Sequence, residues 1–357
     1  MSTYSAATAA IRFALTALAS ASALAAPPMY RITVIPDLPA DPCQVLGLND
    51  AGQATGRCNE LSFIWSSTQG TQAVQDSRFP NSQLHAFAIN NQGMLAGMRY
   101  DSQTGRNPSF VWDATNGFTY FGRREKYNDA YGINDLGVVV GERADSDNTD
   151  FVWKAYQWSA GTGYRLLTPH ADRRTLATAV NNNGEVAGSI EKLSVGVTHA
   201  VRFEAGGGAT WLFPGQHGMS HGAAINQLGH VAGFRENAKH RFHAFVWTPQ
   251  SGGFDIDDRP LPTDESQAKG INDSGQVVGK TTWVDAGGNT QEGVFYWDET
   301  NGFLSLLALL DPNDPLSGQL AEVQPDAGMN INASGQITLN AYSTGSKSWA
   351  MVLTPVR

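Results

Sequence analysis

Short runs in which small or apolar residues alternate with polar ones fill most of the chain, and they break repeatedly at Asn-x-x-Gly turns. A period of two belongs to half-buried β-strands rather than helices. The stretch GINDSGQVVGK, residues 270–280, is the clearest unit, and GLNDAGQATGR, AINNQGMLAGM, GINDLGVVVGE, AVNNNGEVAGS, AINQLGHVAGF and the degraded NINASGQITLN repeat it. Aligned on the turn asparagines Asn49, Asn90, Asn134, Asn181, Asn226, Asn272 and Asn332, the spacings are 41, 44, 47, 45, 46 and 60 residues. A Gly stands three residues after each Asn, where a bulged hairpin following a type I turn needs positive φ.

Each period predicts four strands. A small-residue segment precedes the turn and a Val/Ala-rich one follows it. A third is closed by an aromatic, as in SFIW at 62–65 and AFVW at 244–247, and a fourth follows a Gly, as in GFTYF at 117–121. Four strands in some forty-odd residues is the blade of a β-propeller. The seventh copy stops after its third strand, WAMVL, whereas MYRITVIPDL at 29–38 has the character of a fourth strand and precedes the first copy. Joining these ends removes the two exposed sheet edges of an open stack. The expectation is an all-β, seven-bladed propeller of four-stranded blades, closed by an N-terminal strand joining three C-terminal strands. Residues 26–357 form its single domain. Trp65, Trp112, Trp158, Trp247 and Trp297 recur in register and are expected in the core. Trp283 lies outside that register, is expected in a long loop, and is the candidate ligand-stacking aromatic.

Composition adds location. Lys and Arg total 24 against 33 Asp and Glu, which argues against a broad basic surface for nucleic acid. Residues 1–25 carry one Arg, no acid and an Ala-rich apolar run ending in small residues, the pattern of a secretory signal peptide and too brief for a transmembrane span. The expected location is secreted, periplasmic or in the cell envelope, and the expected state a monomer. In such a compartment Cys43 and Cys58, flanking the first turn with the pairing sum 101 that also relates Leu48 to Gln53, predict a structural cross-strand disulfide.

The unit A-x-x-IN-x-x-G-x-V-x-G followed by a His-Ala-Phe-x-Trp strand resembles the extracellular HAF-repeat proteins. HAFVW at 243–247 matches fully, HAVRF at 199–203 in part, and the HAF at 85–87 falls in a first strand. The resemblance covers almost the whole chain beyond residue 25 and implies an extracellular or envelope repeat protein. It carries no established activity and so no catalytic residue. The strand-three His is replaced by Pro108, Lys154 and Gly293 in other copies.

Function is expected away from the uniform turns, on the opposite face with its diverse loops. Five residues before the turn asparagines stand Gln44, His85, Asp129, Leu176, His221, Gln267 and Ala327, a partly polar ring at the channel mouth. Arg123, Arg124, Arg173, Arg174, Arg235 and Arg241, with Lys126 and Lys239, read as a basic patch for a polyanion. The interleaved Glu125, Asp129, Asp172 and Glu236 fit equally a solvated loop surface. No metal site or cofactor is expected: His217 and His221 sit in a loop rather than on a helix, and the acidic run Asp145, Asp147, Asp150 lacks the glycine and distant glutamate of a calcium loop.

Three functions follow. The first is a non-catalytic exported module binding a ligand, in particular an anionic glycan, on the variable face through Arg123, Arg124, Arg173, Arg174, Arg235, Arg241 and Trp283. The second is a polysaccharide lyase or glycoside hydrolase with His85 or His221 as base and Asp129 as acid or orienting group. The third is an envelope hub that docks another protein.

Overall fold

A computed structural model describes residues 26–38, 42–123, 127–144, 152–168, 173–192, 195–259 and 264–356. Residues 1–25, Arg124 and the acidic run at Asp145–Asp150 lie outside the described residues.

Each turn folds as its residues dictate. The Asn49 amide donates to Gln53 O at 3.0 Å and the Gly52 amide to Asn49 O at 3.1 Å, with Gly52 at φ 74°. The same Gly position has φ between 71° and 78° in every copy, a conformation that costs glycine nothing and other residues a Cβ clash. The hairpins grow into seven separate four-stranded antiparallel sheets. Their inner strands are Cys43–Leu48, Gln83–Ile89, Tyr127–Ile133, Arg173–Val180, Ser220–Ile225 and Glu265–Ile271 in blades one to six. Blade seven runs, outside to inside, Tyr30–Val34, Ser348–Pro355, Ile337–Ser343 and Leu320–Val323. Closure by the N-terminal strand is therefore as expected, in the register Tyr30↔Pro355 to Val34↔Met351.

The hairpin register differs in one respect from the simple expectation. Cys43 does face Cys58, in a disulfide, but Leu48 faces Ala54 rather than Gln53. The extra turn residue shifts the pairing sum by one, and a bulge between Val45 and Gly47 shifts it back before the cysteines are reached. Blades two to six carry the same inner-strand bulge.

This bulge explains the second recurrent glycine. A Cβ on Gly141 would sit 1.8 Å from Asp129 O, and on Gly97 1.9 Å from His85 O, because the bulged inner strand turns that carbonyl onto the neighbouring strand. In blade seven the inner strand ends at Val323 and resumes only as an isolated Ile331↔Ile337 bridge. There the glycine is replaced by Leu339, which is fully buried.

The core lies between blades. Third-strand residues Phe63, Phe110, Tyr156, Phe245 and Phe295 are fully buried. Trp65, Trp158 and Trp247 are also buried, while Trp112 and Trp297 are partly buried against the same clusters.

The turn asparagines do more than shape turns. Asn49 Nδ2 donates to Asn90 O at 2.8 Å, Asn90 to Asn134 O at 3.0 Å, Asn134 to Asn181 O at 2.9 Å and Asn181 to Asn226 O at 3.1 Å. Asn226 then donates to Asn272 O at 3.0 Å, Asn272 to Asn332 O at 2.9 Å and Asn332 to Asn49 O at 3.0 Å. The result is a closed ring around the axis, with every member buried. The next residue along builds an outer ring, in which the amide of Asp50 donates to Asn91 Oδ1, Asn91 to Asp135 Oδ1, Asp135 to Asn182 Oδ1, Asn182 to Gln227 Oε1 and Gln227 to Asp273 Oδ1. Ala333 donates onward to Asp50 Oδ1 but has no side-chain oxygen to offer Asp273, so the outer ring is open at one place.

Candidate functional site

Of the residues five before each turn Asn, His221 borders the axial channel, whereas Gln44 lines a cavity beside blade seven and Leu176 one between blades four and five. The residues three before each Asn face the axial channel. Phe87, Tyr131, Thr178 and Lys269 line it, with the Phe87 and Tyr131 rings 5.8 Å apart. The set at minus five lies within strands rather than at a loose rim: His85, Asp129 and His221 are each part of an inner strand. No hydrogen bond joins these three to one another among the described residues. Each is held by its own surroundings.

Asp129 faces Glu142 across its hairpin, and the Tyr131 hydroxyl lies 3.3 Å from Asp129 Oδ2 and 3.3 Å from Glu142 Oε1. Burial pushes both carboxyls above their usual range. Arg174, 3.9 Å from Glu142, and the tyrosine hydroxyl pull in the other direction. Burial lowers the His85 pKa, and the Arg57 guanidinium lowers it further.

His221 is the most enclosed of the three. Its Nδ1 is 3.2 Å from Ser189 Oγ and its ring centroid 5.4 Å from that of Phe234. Burial, with a contribution from Lys269, lowers its pKa to about 4, so the imidazole is neutral at pH 7. Ser189 and His221 have the separation of a nucleophile and its base, but among the described residues no carboxylate hydrogen-bonds the imidazole to orient it. The constellation lacks its third member.

His221 and Phe234 border two hollows. One is the axial cavity of about 320 Å³ that also holds Lys269. The other, about 220 Å³, opens between blades four and five, with Arg174, its cross-strand neighbour Glu191, Ser189, Thr198 and His221 in its polar wall and Leu176 and Phe234 as part of its apolar wall. Arg174 is half exposed, and Glu142 at 3.9 Å is its carboxylate partner.

The other expected site residues are dispersed. Arg235 is held by Asp255 at 2.6 Å and stacks 4.8 Å from the Phe213 ring. Arg241 reaches Glu265 at 3.5 Å. Arg123 lies over Tyr120 at 5.9 Å, and Arg173 begins the inner strand of blade four. Trp283 is not in a long loop. It belongs to the second strand of blade six, Val277–Val284, faces Gln291 and covers Gly293, where a Cβ would come within 2.9 Å of its ring. The strand runs further than the motif because the hairpin to Thr290–Asp298 has eight paired rungs. Lys269 and Glu142 went unnoticed in the sequence, although their places, three before and eight after a turn Asn, were readable once channel-facing positions were known.

Among the described residues no group of three His, Cys, Asp or Glu side chains is arranged to hold a metal ion, and no helix is long and apolar enough to cross a membrane.

No protein-family model matches the chain, and no curated protein does. Solved structures do match. The β-propeller domain of the Trilobed protease from Pyrococcus furiosus, described as having an open velcro topology, superposes with a TM-score of 0.55 at 9% identity, covering 88% of this chain and 98% of that one. A prolyl endopeptidase gives 0.57 at 11% identity, over 91% of this chain and 47% of the enzyme. An acylaminoacyl peptidase of Pyrococcus horikoshii gives 0.51 at 11%, over 91% and 51%. The chain thus spans about half the length of these two peptidases. The class defined is the β-propeller, here seven-bladed with a strand from the N-terminal side sealing the last blade. At such identities the likeness establishes the fold alone.

Proposed function

We propose that the protein is an exported ligand-binding propeller of the HAF-repeat type, which takes an acidic sugar residue of a polysaccharide into the cavity between blades four and five. One observation carries this reading: a cavity of about 220 Å³ sets a half-exposed guanidinium, Arg174, among hydroxyl and imidazole groups and one carboxylate, Glu191, against an apolar wall that includes Phe234. A cavity of that make-up suits a small amphipathic anion, with Arg174 on the carboxylate and Phe234 under the apolar sugar face. The opposite face has its turn amides and side chains committed to the two rings, which supports a scaffold role for it. The Cys43–Cys58 disulfide supports export, since thiols in the cytosol stay reduced.

Calorimetric titration of the purified protein with acidic and neutral oligosaccharides tests the reading. Salt-sensitive binding of the acidic ones, weakened at least tenfold in Arg174→Ala, is expected; equal binding by Arg174→Ala overturns it. Release of new reducing or unsaturated ends in the same mixtures would make the protein an enzyme instead.

A further inference from the structure

Blade seven, which the N-terminal strand seals, meets blade one at a seam, and beside that seam lies a cavity of about 600 Å³. Blade one contributes Cys43, Gln44 and Arg57 to its wall, and blade seven Gln324, Tyr342 and Ser348. Arg57 directs both Nε and Nη2 at the single amide oxygen of Gln44, at 3.0 and 2.8 Å. Among the described residues many arginines sit against a carboxylate: Arg31 on Asp311, Arg202 on Glu185, Arg235 on Asp255 and Arg259 on Asp257. Among the described residues Arg57 has none, and its charge is answered only by a neutral dipole.

Across the cavity the complementary groups are present. Gln324 Oε1 is buried and without a hydrogen-bond partner, an acceptor awaiting a donor. Tyr342, 37% exposed, offers a ring, and Ser348 a hydroxyl. The guanidinium is also fixed in place. The Gln44↔Arg57 rung adjoins the Cys43↔Cys58 rung, so the disulfide clamps the hairpin where the cationic pair is held. A clamped donor loses less entropy on binding than a free surface arginine.

We infer that the seam cavity is a second anion site, which binds the carboxylate of a uronic-acid residue on Arg57, accepts a sugar hydroxyl at Gln324 and packs the sugar ring on Tyr342. This site is separate from the Arg174 cavity and stands or falls without it. His85 is a natural reporter, because burial depresses its pKa and the Arg57 charge depresses it further, and an anion on Arg57 cancels that second part.

The test is an NMR titration of the whole protein with D-glucuronate, D-glucose and trigalacturonate, following the Arg57 Nε–H, the Arg174 Nε–H and the His85 ring. A saturable glucuronate shift at Arg57, with a rise in the His85 pKa, is expected, as is at least a tenfold weaker response in Arg57→Gln. Tyr342→Ala, on an exposed position, should weaken binding several-fold with the spectrum of the fold intact. Tighter binding of trigalacturonate than of glucuronate supports a polymer as the source of the anion, and equal binding supports a free sugar acid. Equal shifts with glucose, undiminished binding by Arg57→Gln, or shifts confined to Arg174 overturn the seam site. The last of these leaves the blade four–five reading standing.

Discussion

Asn332 Nδ2 donates to Asn49 O at 3.0 Å across 283 residues of chain, and this bond turns six sequential links into a closed circle. Each ring asparagine also accepts from its own turn, as Asn134 Oδ1 does from the amides of Leu136 and Val138 at 3.0 and 2.9 Å. One side chain thus fixes a hairpin and joins it to the next blade, which is why Asp or Ser at that position would not be equivalent.

For Asn134→Asp the turn acceptor is kept, but a carboxylate oxygen replaces the donor facing Asn181 O. Loss of a buried donor and a new buried charge should destabilise the fold by about 3 kcal/mol at pH 7, with partial recovery as the carboxyl is protonated. Urea denaturation at two pH values measures both effects. A cost that is the same at pH 4 and pH 7 would remove the donor explanation.

The open outer ring predicts a gain. Ala333→Asn supplies the missing acceptor for the Asp273 amide, in the place where Asn91 serves Asp50 at 2.8 Å, and should stabilise the protein by about 1 kcal/mol. Calorimetric melting reads this directly; an unchanged or lowered midpoint contradicts it.

Steric necessity at the second glycine predicts a loss. In Gly141→Ala the new methyl meets the Asp129 carbonyl, whose position is set by the bulge, and the substitution should cost at least about 2 kcal/mol. A variant that unfolds at the wild-type urea midpoint would mean that the inner strand gives way easily.

His221 should make stability depend on pH. Its folded pKa, about 4, lies below the ordinary 6.5, so the unfolded chain binds the proton more readily. The contribution is complete above about pH 6.5 and is lost as pH falls toward 4, by up to roughly 3 kcal/mol at 1.36 per pH unit. Asp129 and Glu142, raised by burial, act in the opposite sense and favour the folded state as pH falls. The difference in unfolding free energy between wild type and His221→Gln should therefore shrink between pH 6.5 and 4. A difference independent of pH would show that His221 is not held neutral by the fold.

The disulfide closes a 15-residue separation, and replacing both cysteines by serine should cost about 3 kcal/mol in a chain-entropy description. Thermal unfolding of the double variant, compared with reduced wild type, measures it.

Much of this architecture was legible in the residues. The turn Asn and Gly are local requirements of a hairpin, the alternation is a local requirement of a half-buried strand, and repetition of both at a near-constant spacing leaves few folds that bury the surfaces so created. The Cys43–Cys58 pairing could be read for the same reason, because two shifts of opposite sense cancel between turn and bulge. The site was legible only in outline. His85, Asp129 and His221 were expected as a ring at the channel mouth and lie instead within inner strands; whether they meet depends on the radius and stagger of the ring, and they do not hydrogen-bond to one another. Trp283 was misplaced because a strand that outruns its motif leaves no mark in the repeat.

The sequence by itself therefore determined the blade, its number and the seal between its ends, since these follow from short-range periodicity and from the cost of leaving edges unpaired. Only the tertiary structure decided that seven asparagines hold hands around the axis, that Arg57 faces a neutral amide while Arg235 faces a carboxylate, and which polar groups share a cavity. Those outcomes are set by distances of a few ångströms between residues as much as 295 positions apart, as between Val45 and Asn340, and no local pattern encodes such distances.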